Sequence, residues 1–216
     1  MTAYQTKLRA LLSHSERRAI QKLSSPKKIQ DFLDSFPVLK LGRGEHSMKS
    51  PREVLKIKKA HCMEGAMLAA ASLAYQGLPP LLMDLQATDD DEDHVVAIFK
   101  EKGLYGAISK TNHPVLRWRD PVYKTPRELA MSYFNEYFIW WSDRKKGAKT
   151  LRAYSKPFNL KKYKPEEWVT AKGNLDWLAE ELDSSPHFPV APASVLKNLR
   201  RADFIEMRAA KLEEWN

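Results

Sequence analysis

The stretch "KKAHCMEGAMLAAASL", residues 58–73, carries the only cysteine of the chain, Cys62. It stands between a basic approach and an alanine-rich run, where a helix is expected to begin. A cysteine at a helix N-terminus is suited to nucleophilic chemistry. Unpaired N–H groups and the helix dipole favour the thiolate, and a nearby imidazolium can bring a thiol of ordinary pKa about 8.5 into the ~3.5–7.5 range. The amides at the same terminus, near Cys62 and Met63, are candidate oxyanion donors. The competing reading is a small buried apolar residue. His94 tips the balance. It lies about thirty residues downstream, at the head of "HVVAIFK", where a strand facing the cysteine helix could present an imidazole to the thiol.

The elements that must position this pair are punctuated in the sequence. Ser25-Pro26, Ser50-Pro51 and Thr125-Pro126 each place a hydroxyl cap before a proline at the first helical position, and Glu53 and Glu128 complete apparent capping boxes. Helices are expected over 26–35, 51–58, 62–76 and 126–141, the third ending at "QGLPP". Three short apolar segments follow the cysteine helix: 81–87, 94–100 and 104–109. The last two are split by "EKG", a tight glycine turn that predicts a β-hairpin. Further helices are expected over 174–182 and 194–215. The pattern is α+β.

In this order the residues resemble the transglutaminase-like branch of the papain-type cysteine fold, over roughly residues 26–110. "SPREVLKIKKAHCMEGAMLAAASLAYQGLPPLLMDL" is similar to that family's approach helix, cysteine helix and exit into a strand. "DHVVAIFKEKGLYGAIS" is similar to its histidine strand, turn and following strand. The resemblance implies a papain/transglutaminase-like core with Cys62 as nucleophile and His94 as general base. The family's third member, an aspartate, usually closes the strand about fifteen residues past the histidine. Ser109 stands there, and Asn112 in the next loop is the alternative, as in Cys-His-Asn variants.

Other residues admit weaker readings. His61 adjoins Cys62, but helix neighbours point about 100° apart, so a structural or rim role is expected. Cys62, His94 and His113 lack the short ligand spacing of a zinc site, and no metal or cofactor is expected. The acidic run Asp89–Asp93 reads as a solvated turn without an EF-hand's glycine and terminal glutamate; its charge would raise the His94 pKa. Residues 144–164 interleave cations with Tyr154, Phe158 and Tyr163. That pattern suits single-stranded nucleic acid or an acidic protein. No RNP, KH or zinc-finger signature accompanies it, so a solvated surface is the preferred reading. Phe134, Phe138 and Trp141 are spaced as one helix face.

The 216 residues, 43% hydrophobic, suffice for one core. The division expected is a core over 1–142, with a basic segment and an α-rich C-terminal extension over 143–216 packed on it. No apolar stretch approaches the roughly 20 residues of a membrane span, and the N-terminus lacks a signal-peptide apolar region. A lone cysteine suits a reducing, cytoplasmic setting. The net charge of +9 allows an anionic partner without requiring one. The leading expectation is cysteine-dependent acyl chemistry on an amide of a protein or peptide. The rival is a catalytically weak or inactive scaffold that binds an acidic protein or nucleic acid.

Overall fold

The computed structural model describes residues 1–39 and 47–214. Five helices come first: α1 (Ala3–Leu11), α2 (His14–Lys22), α3 (Pro26–Asp34), α4 (Pro51–Ile57) and α5 (Cys62–Gln76). Strands β1 (Leu81–Gln86), β2 (His94–Glu101), β3 (Leu104–Ile108) and β4 (Arg119–Tyr123) follow, then α6 (Pro126–Met131). The remainder holds β5 (Ala153–Ser155), β6 (Phe158–Asn159), α7 (Pro165–Trp168), α8 (Asp176–Asp183), β7 (His187–Pro189), α9 (Ala193–Leu196) and α10 (Phe204–Ala210). The architecture is α+β, with an antiparallel sheet in the order β4-β3-β2-β1-β5-β7 and β6 also paired to β1.

Helix α5 is the central helix. From Met63 to Tyr75 every residue is buried, as an apolar run without a polar face requires. Its small residues let strands approach closely: a Cβ on Gly65 would lie 2.5 Å from the Lys110 Cβ just past β3. The helix stops at Gly77, which takes φ 95°, while the Leu78 N–H reaches back to the Leu73 carbonyl at 2.9 Å. That closure serves carbonyls the helix leaves unpaired. In the β2–β3 hairpin Glu101 pairs with Leu104. The two residues between them, Lys102 and Gly103, have φ 50° and 87°, the positive values that match a hairpin turn to strand twist.

Several expectations are corrected. Helices α1 and α2 are additional; Thr2 with Gln5 and Ser13 with Glu16 form their capping boxes. The Ser50 hydroxyl donates to the Ala171 carbonyl at 2.7 Å instead of capping α4. Thr125 does cap α6, but Glu128 accepts from the Lys124 N–H, one residue before the cap. The helix expected over 126–141 ends at Met131. There the Arg119 guanidinium lies 4.0 Å over the Tyr133 ring and binds the Ser132 carbonyl and Glu136, and a run of aromatics has little helix propensity to resist this. Phe134, Phe138 and Trp141 therefore share no helix face. The helix expected over 194–215 is split into α9 and α10, because Asp203 caps a new start with Glu206.

Candidate active site

Cys62 is the first residue of α5, and His61 is its N-cap. The start of the helix is held by Glu64, whose fully buried carboxylate accepts the His61 N–H (2.9 Å), the Lys49 N–H (2.9 Å) and the Ser47 hydroxyl (2.7 Å). Cys62 is half-buried as a residue, with its sulfur turned inward toward the backbone N–H groups of Val95 and Met63. Val95 directly follows His94, so the sulfur rests against the head of the histidine strand. Cys62 and His94 line one cavity of about 580 Å³, whose walls include Leu116, Tyr137, Trp140 and Trp141.

His94 opens β2 opposite Leu85 and is buried. Its Nε2 lies 2.8 Å from the Ser109 hydroxyl oxygen. The Ser109 hydroxyl donates to the Leu116 carbonyl at 2.5 Å, so its proton is directed away from the ring and its oxygen is left to accept. The network therefore assigns Nε2–H to His94 and leaves Nδ1 as the lone-pair nitrogen. Leu116 takes a left-handed φ of 59° to present that carbonyl, and its N–H is fixed by the Glu136 carboxylate at 2.6 Å. Gln30 of α3 grips the Ser109 backbone from the other side, accepting its N–H at 2.9 Å and donating to its carbonyl at 2.8 Å.

The electrostatics differ from the thiolate–imidazolium expectation. Burial pushes the Cys62 thiol up; the Val95 and Met63 N–H groups oppose this, and the charges of Asp84 and Glu92 add to it. Burial also depresses His94 to about 4, with the Leu116 carbonyl acting upward and Arg119 downward. The resting pair is a neutral thiol beside a neutral imidazole. The acidic run before His94 was expected to raise its pKa; instead desolvation dominates, and the only charge among the described residues that acts on the ring is that of Arg119, which lowers it.

A family model described as a transglutaminase-like domain matches residues 17–154. The chain belongs to the transglutaminase-like family. No curated protein matches it. Two solved structures of Legionella pneumophila LapG are similar to it. The EGTA-treated form is 17% identical, with a TM-score of 0.35, and the match covers 49% of this chain and 68% of that one. The other LapG structure is also 17% identical, with a TM-score of 0.34 and coverage of 49% and 70%. Cys62, His94, Ser109 and Asn112 all fall within the residues that match the family.

Against this transglutaminase-like frame the remaining candidates separate. In the loop after β3, the Asn112 side-chain amide donates to Glu213 at 3.1 Å, and the Asn112 backbone carbonyl accepts the Glu214 N–H at 3.0 Å. His113 turns the same way, its Nδ1 3.1 Å from the Ala210 carbonyl. The Nε2 of His61 is buried without a hydrogen-bond partner among the described residues. In the acidic run, Asp90 pairs with Lys145, Asp91 accepts the Thr150 hydroxyl at 2.5 Å, and Asp93 accepts the Ala87 N–H at 2.7 Å. In the basic segment Tyr154 and Phe158 are buried, while Lys162 covers the Phe158 and Tyr163 rings at 4.1 and 4.7 Å and pairs with Glu181. Sequence reasoning missed Gln30, Glu64 and Glu136. Only Glu64, three residues after the His61 N-cap, left a local signal, the acidic position of a capping box.

Proposed function

We propose that the protein carries out acyl transfer from an amide through a Cys62 thioester. The observation that carries this reading is the shared cavity of Cys62, at the first turn of α5, and His94, whose Nε2–H is held by Ser109. With both groups neutral at rest, His94 Nδ1 takes the thiol proton as the sulfur attacks the substrate carbonyl. The first-turn amides of α5 stabilise the resulting oxyanion. The imidazolium then protonates the departing amine, leaving a thioester that water or a second amine opens. Ser109 is the positioning residue. It lacks the charge of the usual aspartate, so it orients the ring without stabilising the imidazolium by charge. A segment of protein or peptide is the substrate class a cavity of this size accepts, with Trp140 and Trp141 providing apolar contact.

The test is intact-mass detection of acylation with an activated ester, p-nitrophenyl acetate, followed by a peptide amide library with and without an added amine. The wild-type chain should gain one acyl group on Cys62. Cys62→Ser should gain none there, and His94→Ala should react about 10²-fold or more slowly. A chain that iodoacetamide modifies at Cys62 but no acyl donor acylates is a scaffold and not an enzyme.

A further inference from the structure

At the edge of the Cys62 cavity, which Asp93 helps to line, three carboxylates from distant parts of the sequence converge: Asp84 in β1, Asp93 in the loop entering β2, and Asp183 at the end of α8. One oxygen from each lies within 4.8 Å of the other two. Asp84 is the buried floor of this group, only 3% exposed, and Asp93 and Asp183 are its exposed rim. Asp84 Oδ2 is 3.0 Å from His187 Nε2. Its Oδ1 is buried with no hydrogen-bond partner among the described residues, a costly arrangement for a carboxylate unless something completes it.

We propose that Asp84, Asp93 and Asp183 form a binding site for a divalent cation of the oxygen-preferring class. One further feature favours a cation. Asp183 is the last residue of α8, and a carboxylate at a helix C-terminus faces the negative end of the dipole. It nevertheless points toward two other acids. Oxygen ligands at calcium's bond lengths of about 2.3–2.6 Å can lie up to ~5 Å apart across the ion, whereas magnesium at about 2.0–2.1 Å limits them to ~4.2 Å. Separations within 4.8 Å fall inside the span across a calcium-sized ion, and a smaller ion requires the three oxygens to draw closer. Because Asp93 immediately precedes His94, an ion here would tie the entry of β2 to α8. His187 offers the competing account, a structural pair in which its protonated ring alone balances Asp84.

Titration calorimetry on the chelator-stripped full chain, with calcium, magnesium and manganese chlorides in turn, decides between them. The proposal expects saturable binding of at least one of the three at one ion per chain, together with a rise in melting temperature. Asp183→Asn and Asp93→Asn, both at exposed positions, should each weaken binding at least about tenfold and abolish the thermal shift. Asp84→Asn disturbs a buried pair and is the less clean variant, so the two rim changes carry the test. No saturable heat with any of the three cations at millimolar concentration overturns the site, as does binding that both rim variants leave intact. The readout is binding and not acyl transfer, so it stands or falls independently of Cys62.

Discussion

At Cys62 two opposing influences meet. A helix start favours the thiolate, and desolvation with nearby Asp84 and Glu92 favours the thiol. Burial is the larger influence, so alkylation by iodoacetamide in the substrate-free protein should rise only above the ordinary cysteine range of about 8.5. A half-maximal rate below pH 8 would show an ion pair that the neutral imidazole does not support. Ser109 gives a second expectation at this scale. Ser109→Ala leaves His94 Nε2–H and the Leu116 carbonyl without their present partner, in a place only 1% exposed. The loss should be about 1–3 kcal/mol of stability, read as a lower urea midpoint, with slower acylation of Cys62. An unchanged midpoint and rate would show that the hydroxyl neither braces Leu116 nor orients the ring. The positions of Cys62, His94 and Ser109 could be read from the sequence because each stands at an element boundary marked by its neighbours. Their protonation could not, since desolvation depends on what packs over them from elsewhere in the chain.

The elements place these residues through a few close contacts. Gly65 is the tightest: it lets the end of β3 lie against the first turns of α5, and an added Cβ would meet the Lys110 Cβ at 2.5 Å. Both atoms sit close to backbone, so neither can swing away. Gly65→Ala should cost about 1–3 kcal/mol as overpacking. Because Ser109 adjoins Lys110, the same change should also slow acylation at Cys62. Gly173→Ala is the control, since its Cβ would meet nothing within 4 Å. Equal melting temperatures for the two variants would refute the close-approach reading. The ranges of α3, α4, α5 and the β2–β3 hairpin were legible because caps, prolines and glycine turns are local chemistry. The breaks after Met131 and before Asp203 were harder to see. The first is imposed by Arg119 and Glu136 acting across the fold; the second was signalled by an Asp-x-x-Glu box inside an otherwise helical pattern.

Over the whole molecule, the segment after residue 142 is built into the sheet and core that hold the site. β5 and β6 pair along the side of β1 away from β2. Leu160, Trp168, Leu175, Leu178 and Leu182 join the buried cluster that surrounds α5. Trp168 is fully buried, and its indole N–H donates to the Tyr4 hydroxyl at 3.1 Å, closing the C-terminal half onto the first helix. This closure was the least legible feature, because nothing local in a short strand such as Ala153–Ser155 says which edge it will join. Its energetic weight is large. Removing the Trp168 side chain alone should cost about 3–5 kcal/mol, against a total stability of roughly 5–15 kcal/mol for a domain. A chain ending at residue 142 loses that contact, four leucines of the cluster, and the cover on the Leu81–Gln86 edge. It should therefore show no cooperative thermal transition, and its Cys62 should react with iodoacetamide as fast as in denaturant. Trp168→Ala in the full chain should fall between, folded but with a lower melting temperature. A 1–142 fragment that melts cooperatively with a protected Cys62 would mean that the transglutaminase-like core stands without the C-terminal strands and helices packed on it here.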